Sequence, residues 1–167
     1  VPMHVLAVRH GVQVAADLGL PVVVGGPDLL SDDMARSLQD YRRAFRPWRD
    51  SRPSVTVSLD VTVADDAATA REVALPEAWA MAQARRTGEF PPLQPVADIH
   101  DAPWPAQVRE RVEASLDRAV AGTPDHVRRR LEQVVERTGA EELMASTSTY
   151  DTEALRESDR LLRDLVA

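Results

Sequence analysis

Polar side chains that could bind a ligand lie where two predicted strands end. Arg9, His10 and Gly11 follow an apolar run that begins at Met3, and a hydroxyl-rich segment, 146–150, follows a shorter run. Chemistry in a parallel sheet is carried by the ends of strands and the loops after them, and a helix N-terminus favours a phosphate. If the strands are parallel, these two segments are the first places to expect a ligand.

Several familiar kinds of site are absent from the sequence. There is no cysteine, which excludes a disulfide, a thiolate metal site and a cysteine nucleophile. The histidines at 4, 10, 100 and 126 lack the close spacing of a metal site, so no metal is expected. Phosphate-binding loops of the Walker type, the Gly-x-Gly-x-x-Gly fingerprint and the Gly-x-Ser-x-Gly elbow are also missing. ATP use, Rossmann-type dinucleotide binding and serine hydrolysis therefore have no support.

Composition indicates an ordinary globular domain. The chain has 167 residues, of which 44% are hydrophobic and 28% charged, and these values suit one domain over residues 1–167. A net charge of -7 disfavours nucleic acid, because a phosphate backbone is bound mainly by Lys and Arg. No apolar run is long enough to span a membrane, and we expect a cytoplasmic protein. The start at Val1-Pro2, directly before a strand, is expected either where a preceding segment has been removed or where an initiator Met before Val1 has been excised.

Four strands are predicted, each followed by a helix. They lie near 3 to 8, 21 to 25, 54 to 64 and 142 to 146, and the third has the clearest alternation of apolar and small polar residues. Ser31 is expected to cap the second helix, and Asp65-Asp66 to open the third, which Pro76 should kink or divide. Residues 91–105 hold five of the twelve prolines and are predicted to be an extended excursion.

Strict alternation of strand and helix predicts right-handed crossovers and a parallel sheet. A closed eight-stranded barrel needs roughly 250 residues, so this chain suffices for about half of one. The fold class is therefore α/β, either a parallel (β/α) half-barrel or an independent doubly wound sheet of four strands.

Five segments, taken in order, resemble the luciferase-like, flavin-dependent monooxygenases. They are Ala15-Ala16-Asp17-Leu18-Gly19-Leu20-Pro21, Tyr41-Arg42-Arg43-Ala44-Phe45-Arg46-Pro47, Val61-Thr62-Val63-Ala64-Asp65-Asp66, Gly122-Thr123-Pro124-Asp125-His126-Val127 and Thr138-Gly139-Ala140-Glu141-Glu142-Leu143-Met144. Their order and spacing resemble strands five to eight of that family's TIM barrel.

The resemblance implies a flavin cofactor, FMN or alternatively the deazaflavin F420, used with molecular oxygen on a small organic substrate. It also implies that strands one to four are missing. We therefore expect a partner, which is either an N-terminal half-barrel chain or a second copy of this one.

Site residues follow from the resemblance by position. Relatives hold the flavin phosphate with a Gly- and Ser-rich loop, where this chain has Arg9, His10 and Gly11, and these are the candidate cofactor-binding residues together with Ser146, Thr147 and Ser148. Each group has an ordinary alternative, a solvated surface loop and local helix capping respectively.

Substrate binding is assigned to two further residues. Asp60 lies on the polar face of the third strand, where a structural ion pair is the alternative role that the sequence favours, and Tyr150 ends the hydroxyl-rich segment. Gly25-Gly26 stands where many relatives have a His pair, and a simple turn is favoured there. No catalytic residue is identified.

Two functions remain open at this point. The chain is either part of a flavin-dependent monooxygenase, or a catalytically degenerate half-barrel that acts as a binding or assembly module. The changed phosphate loop and the glycines at 25 and 26 motivate the second alternative.

Overall fold

A computed structural model of the chain describes residues 3–8 and 10–166. Val1, Pro2, Arg9 and Ala167 lie outside the described residues. The predicted phosphate contact of Arg9, and the expectation about a segment before Val1-Pro2, therefore fall outside them as well.

Five strands form the described sheet. They are β1 (Val5–Ala7), β2 (Val22–Gly25), β3 (Val55–Val63), β4 (Val120–Gly122) and β5 (Glu142–Ser146). β1, β2, β3 and β4 pair in that order and all three pairings are parallel, while β5 pairs with β3. β3 pairs with β2 through its first half and with β4 through its second half.

Seven helices are present in the described part of the chain. They are α1 (His10–Leu18), α2 (Asp32–Ala44), α3 (Ala67–Thr87), α4 (Val96–Asp101), α5 (Ala106–Arg118), α6 (Pro124–Thr138) and α7 (Thr152–Val166). The predicted caps are confirmed, since the Ser31 hydroxyl accepts from Met34 N at 3.1 Å and Asp66 accepts from two N–H groups of α3. None of these helices is long and apolar enough to cross a membrane.

The four predicted strands are all confirmed, and so is the sequential pairing of the third with the fourth. The bonds that join β3 and β5 keep a constant separation of 86 residues, which a parallel register requires. The prediction of an extended excursion at 91–105 is partly wrong, because α4 forms within that segment. The strand β4, Val120–Gly122, was not predicted.

Pro76 does not divide α3, which continues from Ala67 to Thr87. Proline in a helix interior costs about 3 kcal/mol because it removes a backbone hydrogen bond and crowds the preceding turn. Burial compensates here, since Leu75, Ala78 and Trp79 are each 4% exposed and pack in one core cluster. The helix is therefore maintained by packing and not by the intrinsic preference of its residues.

The chain forms two compact units, each built from two segments. The first unit comprises the chain up to Leu59 together with Leu131–Ala145, and the second comprises Asp60–Arg130 and the chain from Ser146 onward. The strand β3 and the helix α6 each continue from one unit into the other.

The buried side chain of Tyr41 stabilises the core of the first unit through hydrogen bonds. Its side chain is 1% exposed, and its hydroxyl lies 3.0 Å from Leu20 O while it accepts from Ser54 N at 3.1 Å. Burial raises the pKa of this phenol above its ordinary value. Arg42 donates to Thr138 O and Gly139 O at 2.8 and 2.7 Å. The segment at 41–47, one of those that suggested a family, thus has a structural role at these two residues.

The start of β3 is bonded to a segment far along the chain in the first unit. Val55 N, in a fully buried residue, donates to a carboxylate oxygen of Glu141 at 2.7 Å, and Glu141 N donates to Val55 O at 3.0 Å. The hydroxyl of Thr56 also hydrogen bonds to Glu142. Two glutamates that precede or begin β5 therefore satisfy the polar groups at the beginning of β3.

A second core lies between helices of the second unit. Trp79 and Trp104 place their rings 5.0 Å apart, and Ile99, Val108 and Val112 are buried around them. Ser158 of α7, which is 1% exposed, accepts from Val63 N at 2.9 Å and so ties the last helix to the end of β3.

Candidate functional site

The first predicted binding segment lies between β1 and α1, in the first unit. His10 begins the helix with its side chain exposed, and Gly11 N donates to Val8 O at 3.1 Å. A Cβ added at Gly11 would meet the Ala7 Cβ at 3.0 Å, so glycine lets the helix start close to the strand. The N–H groups of the first helical turn have no partner within the helix, which suits an anion. Phosphate binding by Arg9, His10 and Gly11 remains a prediction.

Asp60 and Ser146 are joined in the second unit. The Ser146 hydroxyl donates to the Asp60 carboxylate at 2.8 Å, across the β3 and β5 pairing. Asp60 is exposed, and within the described residues it forms no ion pair with a cationic side chain. Among the described residues the structural ion pair that the sequence favoured is therefore not found, because position 60 faces water, where a carboxylate needs no cation to offset burial.

The next two hydroxyls also make contacts away from their own helix. Thr147 donates to Val61 O, and the Ser148 hydroxyl lies near enough to Glu77 on α3 to lower the pKa of that carboxyl. Local capping by these residues is therefore wrong. Asp151 caps α7 instead, accepting from Glu153 N at 2.8 Å and from Ala154 N at 3.1 Å.

Glu77 is the residue that sequence reasoning missed. Burial raises the pKa of its carboxyl, the negative charge of Asp60 raises it further, and the Ser148 hydrogen bond opposes both. Its signal in the sequence was an acid within an apolar stretch of α3, between the buried residues Pro76 and Ala78. We name Asp60, Glu77, Ser146 and Ser148 the carboxylate cluster.

We expect a Glu77→Gln variant to be more heat-stable than the wild type at pH 7 and equally stable near pH 4. A raised carboxyl pKa means that the folded protein favours the protonated form. The stabilisation by protonated Glu77 is complete at pH values below the ordinary carboxyl pKa of about 4.3. It is lost as the pH rises through the higher pKa that this carboxyl has in the folded protein. Glutamine stays neutral, so the gain in melting temperature should appear only above that window.

Melting temperatures measured by circular dichroism between pH 4 and 7 check this expectation. Glu110→Gln, on the exposed face of α5, is the control and should show little pH-dependent difference from the wild type. A difference for Glu77→Gln that is the same at both ends of the range would contradict the raised pKa.

The remaining predicted residue, Tyr150, is 55% exposed. Its role in substrate binding stays a prediction. Of the predicted site residues in the second unit, Asp60, Ser146 and Ser148 thus belong to the carboxylate cluster, and Thr147 hydrogen bonds next to it.

The carboxylate cluster suits ligand groups that donate hydrogen bonds, and it does not suit an anion. Its serine hydroxyls already engage carboxylates, and two acidic side chains within interaction distance would repel a phosphate. Carboxylate oxygens accept hydrogen bonds from N–H and O–H groups. Among the described residues no group of three acidic, histidine or cysteine side chains is placed to hold a metal.

Comparison with known proteins identifies the family. The family model of luciferase-like monooxygenases matches residues 1–142. A luciferase-like monooxygenase of Escherichia coli strain K12 is 28% identical over 162 residues, which cover 93% of this chain and 46% of that protein.

Solved structures agree with the sequence match. The crystal structure of apo-MsnO8 is similar with a TM-score of 0.77 and 26% identity, over 99% of this chain and 50% of that one. The oxygenating constituent of 3,6-diketocamphane monooxygenase from Pseudomonas putida, in complex with FMN, has a TM-score of 0.65 and 21% identity, over 98% and 47%. The chain spans about half the length of these relatives, and its parallel α/β fold is that of half their barrel. It belongs to the luciferase-like monooxygenase family.

Proposed function

We propose that this chain is part of a flavin-dependent monooxygenase that uses reduced FMN and molecular oxygen on a small organic substrate. The observation that carries the proposal is the match of residues 1–142 to this family, in a parallel fold that has polar side chains at the carboxyl end of β5. Loops at that end of parallel strands are where barrel enzymes bind their ligands. The FMN complex of the diketocamphane enzyme supports FMN as the cofactor, with F420 as the alternative.

The two binding segments suit different chemical groups. The N-terminus of α1, with the exposed His10 side chain and backbone N–H groups, fits a phosphate. The carboxylate cluster fits groups that donate hydrogen bonds, so we propose that Asp60, with Tyr150, contacts the substrate. Ser146 and Ser148 would orient these carboxylates, and Thr147 would hold the backbone beside them. Bound reduced FMN would supply the electrons for oxygen chemistry.

We expect Arg9→Ala to weaken FMN binding by about tenfold, because a guanidinium bond to a phosphate is charge-assisted. The measurement is a titration with FMN that is monitored by the quenching of flavin fluorescence. It is made under conditions in which the wild-type protein binds FMN. Arg36→Ala on α2 is the matched control, since Arg36 is exposed and pairs with Asp33, and it should leave affinity within about twofold. If Arg9→Ala and the wild type bound FMN with equal affinity, the phosphate would have to bind elsewhere on the protein.

The second part of the proposal is that this chain works with a partner. Apolar side chains remain open to water in the first unit, where Leu6 is 81%, Val8 73% and Met144 52% exposed. Exposed apolar surface and open strand edges favour association. The relatives are about twice as long, and we propose that an N-terminal half-barrel chain covers this surface.

A second copy of the chain is the less favoured partner. The family barrel is built from non-identical halves, and a symmetric pair would bring like polar faces, including the exposed Asp60, against each other. Like charges that meet without cations between them are unfavourable.

Light scattering tests the need for a partner. We expect the isolated 18.4 kDa chain to self-associate at low micromolar concentration, and to form a defined complex when an N-terminal half-barrel is co-expressed. A stable, monodisperse monomer of the isolated chain would show that the expectation was wrong.

The alternative function is a degenerate half-barrel that serves as a binding or assembly module. It is favoured by one observation, that the serines proposed for cofactor binding already hydrogen bond to carboxylates. FMN titration of the completed barrel separates the two functions. Saturable binding supports the monooxygenase, and a folded complex that binds no flavin supports the module.

A further inference from the structure

A cavity of about 270 Å³ lies within the second unit, between α3, α4 and α5. It is separate from the carboxylate cluster in its lining residues, and the proposed function makes no use of it. Its volume is just below the range of about 300–1,000 Å³ that is typical of ligand pockets. A single ring with one substituent would fit, whereas a flavin would not.

The floor of this cavity is apolar and firmly held. Leu75 and Leu116 are 4% and 8% exposed, and the half-buried indole of Trp104 lies beside them. Trp104 donates its ring N–H to Ile99 O at 2.8 Å and packs against Trp79. Because these contacts hold the indole in place, a ligand ring that packs beside it does not have to order it.

Most polar groups on the wall already have partners in the protein. Arg71 forms ion pairs with Glu113 and Asp117, and His100 lies 3.0 Å from a carboxylate oxygen of Glu72. The wall residues Arg71, Glu113, His100 and Glu72 thus already have partners, and an incoming ligand would have to compete with them.

Arg109 is the exception on this wall. Its guanidinium lies 5.3 Å from the centroid of the Trp104 ring, and no carboxylate in the described part of the chain pairs with it. A guanidinium that stacks on an aromatic face keeps its N–H donors available at its edge. The cavity therefore combines one available cation with an aromatic and aliphatic floor.

We propose that this cavity binds a small aromatic carboxylate, with the ring over Leu75 and Leu116 beside Trp104 and the carboxylate on Arg109. Arginine binds a carboxylate through two parallel N–H bonds, which gives both affinity and orientation. The ligand differs from the proposed flavin and its phosphate in size and in its site.

Benzoate is the probe, and the indole N–H signals of the three tryptophans are the readout in a nuclear magnetic resonance titration. We expect the Trp104 signal to shift and saturate with a dissociation constant of about 1 mM, a plausible affinity for a ligand of this size. Trp48, in the other unit and 60% exposed, should not respond. Benzamide, which has the same shape without the charge, should bind at least about fivefold more weakly.

Arg109→Gln should weaken benzoate binding at least about fivefold, while Arg118→Gln at the end of the same helix should leave it within about twofold. Arg109 is exposed, so its replacement should not disturb folding. The proposal is overturned if Trp104 does not respond up to about ten times the expected constant. It is also overturned if Arg109→Gln binds benzoate as tightly as the wild type does, or if the wild type binds benzamide as tightly as benzoate. Because no flavin is added, these outcomes leave the proposed monooxygenase function unaffected.

Discussion

Replacing Gly19 with alanine is expected to lower the free energy of unfolding by about 2–5 kcal/mol. Gly19 follows α1 with φ of +63°, a left-handed conformation that costs a residue with a Cβ about 1–2 kcal/mol. In addition, a Cβ there would lie 2.3 Å from Arg46 O and 3.0 Å from Trp48 N, both backbone atoms. Overpacking against fixed atoms adds about 1–3 kcal/mol.

Gly88→Ala separates these two causes. Gly88 also has a left-handed φ, of +84°, but nothing lies within 4 Å of the position of its Cβ. We therefore expect a loss of only about 1–2 kcal/mol there. Urea unfolding, monitored by circular dichroism, measures the stability of both variants. Equal losses of unfolding free energy would show that the nearby backbone of the segment after α2 does not constrain Gly19.

Trp79→Ala is expected to cost about 3–5 kcal/mol, the range found for large aromatic residues removed from a core. Its side chain is 4% exposed, its ring lies 5.0 Å from that of Trp104, and its N–H donates to Gln94 at 3.0 Å. The truncation would leave a void beneath the floor of the cavity at α4 and α5, and would leave the Gln94 oxygen without this donor.

Trp48→Ala is the matched control, because Trp48 is 60% exposed and its ring contacts the Arg49 guanidinium at the surface. We expect its replacement to change stability by less than about 1 kcal/mol. Urea unfolding of both variants is the measurement. If the two truncations cost the same, the second core would contribute little to the stability of the protein.

The main strands were predictable because their signals are local. β3 alternates apolar and polar side chains, and Val55, Val57, Val61 and Val63 are buried as that alternation requires. The runs that form β1 and β2 lie between clear breaks such as Gly25-Gly26. Strict alternation of strands and helices then fixed the parallel pairing.

The elements that were missed have weak local signals. β4 has three residues, two of which, Ala121 and Gly122, are poor strand formers, and only pairing with β3 makes it a strand. α4 lies in a proline-rich segment, with Pro95 directly before it and Pro103 shortly after it. A high density of prolines favours extended chain, yet proline is well tolerated at a helix start.

The candidate site was predictable only in part. The positions of Asp60 and Ser146 along their strands followed from the pattern, but their hydrogen bond depends on the register between β3 and β5, which no local signal specifies. Glu77 reaches Ser148 from another element, and its half-buried position depends on how α3 packs. Partners across elements are decided by tertiary structure, so a single sequence did not indicate them.

The bond between Val55 and Glu141 bears on the order in which the protein is synthesised. The two residues are 86 positions apart, and at about 5–20 residues per second the ribosome needs about 4–17 s to add the later one after the earlier. During that interval the first half of β3 has no β5 beside it, and the core cluster that buries Val55 and Val57 lacks Val134 of α6. We therefore expect nascent chains arrested before residue 141 to bind chaperones, and chains extended past β5 to be released.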